Sequence, residues 1–95
     1  IRDALMDEQE GADMLMVKPG MPYLDVLKEL SQNTDLPLAA YQVSGEYAMM
    51  KFADQAGAIN FQEVMLESLM AFKRAGADMV LSYSAIEAAR WIKNV

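Results

Sequence analysis

The sequence predicts an α/β fold built on a parallel sheet, and three observations carry that reading. Short apolar runs bounded by Gly, Pro or Ser alternate with longer segments of helical periodicity. The strand-like runs are apolar at nearly every position, as in parallel strands buried on both faces. The composition is that of a globular chain, 54% hydrophobic and 23% charged. Its 95 residues suffice for one core and not for two domains.

Ile1 to Glu10 reads as a helix already under way. Ala4, Leu5 and the charges around them suit helix, but no capping residue precedes them. Together with a first residue other than Met, this leads us to expect the C-terminal piece of a longer protein. Asp13 to Lys18 is the first strand, stopped by Pro19 and Gly20. Methionine prefers helix, but the short run and its flanking breakers decide for strand. Tyr23 to Ser31 follows Pro22, a favoured early-helix residue, and spaces Leu24, Leu27 and Leu30 by three.

Leu36 to Val43 is the second strand, ended by Ser44 and Gly45, and Glu46 to Ala56 the next helix, stopped by Gly57. Phe61 to Ala75 sets Phe61, Met65, Leu69 and Phe72 on one helical face and ends at Gly76. Asp78 to Tyr83 is the third strand. Ile86 to Lys93 closes the chain as a helix, with Trp91 and Ile92 expected to pack inward. The nine methionines are expected to be adaptable core filling.

An internal echo refines the architecture. Gly11-Ala-Asp-Met14 recurs as Gly76-Ala-Asp-Met79, which aligns Lys18 with Tyr83 at two strand ends. A barrel of eight βα units takes ~250 residues, so three units take roughly 94. An isolated three-stranded parallel sheet would leave both edges unpaired. The expected fold is therefore the C-terminal three βα units of a (β/α)8 TIM barrel, residues 1–95 forming one segment of a single catalytic domain. A flavodoxin-like, doubly wound remnant is the alternative.

Composition excludes much chemistry. With no Cys and no His there is no zinc finger, thiol nucleophile, disulfide or Ser-His-Asp triad within this stretch. Fourteen acidic residues against eight basic leave a net charge of −6 and no footprint for nucleic acid. No apolar run could span a membrane, and no leader pattern opens the chain. Carboxylate pairs such as Glu63–Glu67 and Asp25–Glu29 repel one another on helix surfaces, and no metal cluster is expected.

In parallel α/β folds ligands bind beyond the carboxyl ends of the strands, here at Lys18, at Tyr41 to Ser44 and at Tyr83. If the second strand separates the outer two, Lys18 and Tyr83 stand about 10 Å apart, given strand spacings of ~4.8 Å. Lys18 is the informative residue. A free lysine with a pKa of about 10.4 is almost wholly charged at neutral pH, and desolvation at a barrel rim would lower that value. The neutral amine could then form a Schiff base, although the pattern by itself favours an ordinary strand-end lysine paired with a carboxylate. Ser44 and Tyr83 lack a histidine to activate them and suit hydrogen bonding to a carboxylate or carbonyl. Ser44 also suits the N-cap of the following helix, and Tyr41 suits packing against a neighbouring strand.

Met16-Val-Lys-Pro-Gly-Met-Pro-Tyr-Leu-Asp25, Tyr41-Gln-Val-Ser-Gly-Glu-Tyr-Ala48 and Gly76-Ala-Asp-Met-Val-Leu-Ser-Tyr83 closely resemble the porphobilinogen synthase (5-aminolevulinate dehydratase) family. The resemblance runs over essentially the whole chain and corresponds to the family's C-terminal third. It implies a (β/α)8 lyase that condenses two 5-aminolevulinate molecules into porphobilinogen in tetrapyrrole biosynthesis. It places Lys18 at the Schiff-base lysine, Ser44 and Tyr83 at the hydroxyls that hold the same substrate's carboxylate, and Tyr41 at an aromatic lining that pocket. It implies zinc or magnesium in the complete enzyme, no organic cofactor, a homo-oligomer that is typically an octamer, and a cytoplasmic or plastid-stromal setting.

Two positions depart from the family pattern. Ser84 stands where many relatives carry a bulky aromatic, and Asp3 where some carry a Glu that binds an allosteric magnesium. The segment alone is expected to be inactive. The alternatives are a non-catalytic partial-gene fragment and another Schiff-base barrel of the aldolase type.

Overall fold

The computed structural model describes residues 2–93, with side chains from residue 4 onward. The chain alternates helix and strand as α1 (Arg2–Gln9), β1 (Leu15–Val17), α2 (Leu24–Asn33), β2 (Leu38–Gln42), α3 (Ser44–Gln55), α4 (Phe61–Ala75), β3 (Met79–Ser82) and α5 (Ala85–Lys93), with a 3-10 turn at Met21–Tyr23. The strands form one parallel sheet in the order β1-β2-β3. Each strand is shorter than its apolar run, because the flanking residues leave the ladder to enter turns. The Lys18–Pro19 peptide is cis.

The helices begin and end for identifiable reasons. Asn60 caps α4, its side chain accepting the Glu63 N–H at 3.0 Å, and Gly76 ends it in the left-handed region at φ 114°. Asp54 near the end of α3 accepts the Phe61 N–H at 3.1 Å, tying the two helices at their joint. Asp78 does the same for the sheet. Its carboxylate accepts the Leu38 N–H and its own N–H donates to the Leu38 carbonyl, both at 2.8 Å. Gly11 and Gly76, the first residues of the repeated motif, both have positive φ, so the echo is one of loop geometry as well as of letters.

The core lies between the sheet and its helices. Leu15 and Val17 of β1 and Leu38 and Ala40 of β2 pack against Leu27 and Leu30 of α2 and Phe72 of α4. Full burial of a side chain such as Leu27 stabilises by ~1.5–3 kcal/mol. All of these strand residues share one face. On the other face Met16, Met79 and Leu81 remain 43–45% exposed.

The expectation of strands buried on both faces therefore holds only for β2, which is flanked on both sides; β1 and β3 are edges with one uncovered face. Two core expectations are also corrected, and the uncovered sheet face accounts only for Met16 and Met79, the other exposed residues lying on helices or before β1. Six methionines, at positions 6, 14, 16, 49, 70 and 79, are exposed rather than core filling, and Met65 alone among the nine is buried. Trp91 is half-buried against Phe61, but Ile92 is 64% exposed.

Gly20 is where the core meets the loop after β1. A Cβ there would lie 2.7 Å from Phe72 Cζ, so the position needs a residue without one. Gly20→Ala should force the Phe72 ring to shift and destabilise the protein by ~1–3 kcal/mol. Gly45 is the control: it sits in the first turn of α3, and a Cβ added there would meet nothing within 4 Å. Gly45→Ala should be neutral or stabilise by up to ~1 kcal/mol in the same denaturant titration.

Candidate functional site

Register decides which strand-end side chains can meet. Met16 is level with Ala39, Ala39 with Met79, and Tyr41 with Leu81. Side chains alternate along a strand, so Tyr41 takes the parity of Ala39, on the face without the core helices. Lys18 and Tyr83 follow directly on β1 and β3, at the same carboxyl end of the sheet. The strand order also puts β2 between Lys18 and Tyr83, as the spacing argument requires.

Tyr41 and Tyr83 are brought together, their hydroxyls 3.5 Å apart. With Leu81 and Ser82 they line a shallow hollow of about 190 Å³. The hydrogen bond to Tyr83 raises Tyr41 above the ordinary phenol value of 10.0, helped by repulsion from that neighbour's charge and slight desolvation.

Lys18 and Ser44 do not line this hollow. Lys18 is exposed and, among the described residues, forms no ion pair. Among the described residues Lys18 is thus neither desolvated nor paired with a carboxylate. Ser44 is not the N-cap of α3. Val43 occupies that place with extended backbone, and exposed Ser44 is the first helical residue.

The cap is supplied by a residue that sequence reasoning passes over. Glu46 is buried, and its Oε1 accepts the Val43 N–H at 3.2 Å from the third helical position. The same carboxylate accepts the Gly20 N–H at 3.2 Å and the Met21 N–H at 3.0 Å. One side chain thus joins the loop after Lys18 to the turn after Tyr41. The available signal is a Glu at the third position of a helix that opens at Ser44.

Gln42 is a second omission, legible as a lone amide closing an apolar strand. Fully buried, it donates to Ser68 Oγ of α4 at 2.9 Å and accepts from Ser82 Oγ of β3 at 2.7 Å. Ser82 Oγ in turn accepts the Ser84 N–H at 3.1 Å, so hydrogen bonds grip both residues flanking Tyr83. The small Ser84 fits wholly inside, its own Oγ without a partner among the described atoms.

The described residues do not form a metal centre. No group of three or more His, Cys, Asp or Glu is placed to hold an ion among them, and the side chain of Asp3, the magnesium candidate, lies outside the described residues. No described helix is long and apolar enough to cross a membrane.

Two outcomes follow from this geometry. Glu46→Ala leaves the Met21 and Val43 N–H groups without their acceptor, while the Gly20 N–H keeps the Tyr41 carbonyl, and should cost ~2–6 kcal/mol in a urea titration, at ~1–3 kcal/mol for each donor left unpaired. Tyr41 should titrate above 10.0 by phenolate absorbance, and Tyr83→Phe should bring it down. Because the folded value is the higher one, the folded protein holds this proton more tightly. The linked stability is present below pH 10.0 and is lost as pH rises through the folded-state value.

The same strands and loops occur in known proteins. A family model described as delta-aminolevulinic acid dehydratase matches residues 1–91. The chain is 60% identical over 89 residues to the delta-aminolevulinic acid dehydratase of Escherichia coli K12, covering 94% of this chain and 28% of that protein. It is 59% identical over 87 residues to the chloroplastic protein of the same description from Physcomitrium patens, covering 92% of this chain and 20% of that one. A crystal structure of delta-aminolevulinic acid dehydratase (porphobilinogen synthase) from Toxoplasma gondii ME49, in complex with the reaction product porphobilinogen, superposes with a TM-score of 0.94 at 54% identity. That match covers 99% of this chain and 27% of the other, so the chain spans about a quarter of the length of its relatives. Sequence and fold agree over nearly every residue: the chain belongs to the delta-aminolevulinic acid dehydratase family.

Proposed function

We propose that the chain forms the C-terminal three βα units of a (β/α)8 barrel and there supplies the imine-forming lysine of a porphobilinogen synthase, which joins two 5-aminolevulinate molecules. What carries this reading is the uncovered sheet face. The core-forming helices pack on one side, while the other presents Met16, Met79 and Leu81 to solvent and ends in Lys18, Tyr41 and Tyr83. A doubly wound sheet would carry helices on both faces. A barrel encloses one face as its interior and reacts at the carboxyl rim. The bound porphobilinogen of the Toxoplasma gondii relative supports the same assignment.

Barrel closure resolves the exposure of Lys18. Five further units would cover its face, remove water and favour the neutral amine. Lys18 Nζ then attacks the keto carbon of 5-aminolevulinate, the C–N bond forms, and the keto oxygen leaves as water to give the imine. Ser44 and Tyr83 lie just beyond the neighbouring strands β2 and β3 and, with no histidine to activate them, donate hydrogen bonds to that substrate's carboxylate. Tyr41 lines the pocket and meets the Tyr83 hydroxyl. The described residues contain no donor set for a metal, and no step above passes through one.

Borohydride reduction of the complete enzyme with 5-aminolevulinate, followed by peptide mass mapping, should mark Lys18. A mark on another lysine, with Lys18→Ala still active, would refute the assignment. Tyr83→Phe deletes one hydrogen bond to a charged group, worth ~1.5–3 kcal/mol. Steady-state kinetics should show kcat/KM falling roughly 10- to 150-fold, since 1.36 kcal/mol is tenfold.

A further inference from the structure

Tyr83 directly follows the edge strand β3 and is 59% exposed, and its 3.5 Å contact with Tyr41 is a long hydrogen bond. A phenol so placed needs something to fix its ring. Tyr47 stands beside it, with ring centroids 6.0 Å apart and planes tilted by 48°. Tyr47 lies in the first turn of α3, where its N–H donates to the Val43 carbonyl at 3.2 Å, so the turn clamped by Glu46 also sets its position.

Behind Tyr47 the packing continues into the body of the protein. Its ring meets buried Phe61 of α4 at 5.8 Å, edge to face at 85°, and Phe61 meets Trp91 of α5 at 6.1 Å and 74°. The Lys51 ammonium, one turn further along α3, lies 4.0 Å from the Phe61 centroid and 5.7 Å from that of Tyr47. These are attractive geometries for aromatic rings and for a cation over a ring. The Tyr47 hydroxyl makes no hydrogen bond among the described residues, so its ring alone provides the contact.

We infer that Tyr47 is a positioning residue: its ring, anchored through Phe61 to α4 and α5, holds the Tyr83 phenol at the angle that presents its hydroxyl to the substrate carboxylate. This rests on the reading of Tyr83 as a carboxylate-binding hydroxyl. It requires that the ring of Tyr47 matter and its hydroxyl not, and that the effect vanish once Tyr83 has no hydroxyl to aim.

A double-mutant cycle on the complete enzyme tests both requirements. Tyr47→Leu should lower kcat/KM roughly three- to tenfold, chiefly through KM, the loss expected for one aromatic contact. Tyr47→Phe should match the unsubstituted enzyme. In the Tyr83→Phe background, Tyr47→Leu should cause no further loss. Where Tyr47→Leu does not fold, Tyr47→Met carries the same comparison, and thermal melts identify the folded variants. An equal loss in both backgrounds, or a loss in Tyr47→Phe as large as in Tyr47→Leu, would overturn the positioning role. A defect in Tyr83→Phe with none in Tyr47→Leu would overturn it too, leaving the carboxylate reading intact. An unchanged Tyr83→Phe enzyme would instead overturn the carboxylate reading, and the inference with it.

Discussion

The arrangement of the strand ends depends on one buried carboxylate. Glu46 gathers the N–H groups of Gly20, Met21 and Val43, which come from two different loops. A buried charge is costly unless it is fully hydrogen-bonded, and a carboxylate accepting several backbone donors meets that condition. The Gly20 N–H also donates to the Tyr41 carbonyl at 2.9 Å. The chain leaving Lys18 is thereby joined to the strand that carries Tyr41, so the spacing of the two side chains is set by backbone. Phe72 packs against the same glycine from the core side, which excludes any side chain there. Polar clamp and apolar core meet at Gly20.

The two faces of the sheet have separate tasks. One carries Leu15, Val17, Leu38 and Ala40 into the helices and supplies the apolar burial that holds the unit together. The other carries long, pliant side chains at Met16, Met79 and Leu81 beneath Lys18 and the two phenols. Methionine there gives a pliant surface that can adapt to what packs against it. Tiny Ala39 remains buried on that face, because Met16 and Met79 stand on either side of it.

Polar groups under the sheet reinforce this division. Gln42 links β2 to α4 through Ser68 and to β3 through Ser82, at the level where β3 ends. Each of these groups is paired, so the network ties the edge strand to its neighbour more strongly than the last rungs of a short parallel ladder alone. Ser68 continues it by donating to the Met65 carbonyl at 2.7 Å.

The sequence by itself determined the order and kind of the α-helices and strands, since each rests on local rules: apolar period, cap and breaker. α4 was legible to the residue because Asn60, Gly76 and the spacing of Phe61, Met65 and Phe72 are local signals. The three-motif resemblance also identified the family. Only tertiary structure decided which strand faces are covered, because periodicity cannot say where helices will pack. That is why the exposed Met16 and Met79 depart from what local pattern implies. The cap of α3 passed from Ser44 to Glu46 because a carboxylate there also satisfies two donors more than twenty residues earlier in the chain. Such partners are invisible to any local pattern: they become neighbours only when β1 and β2 pair.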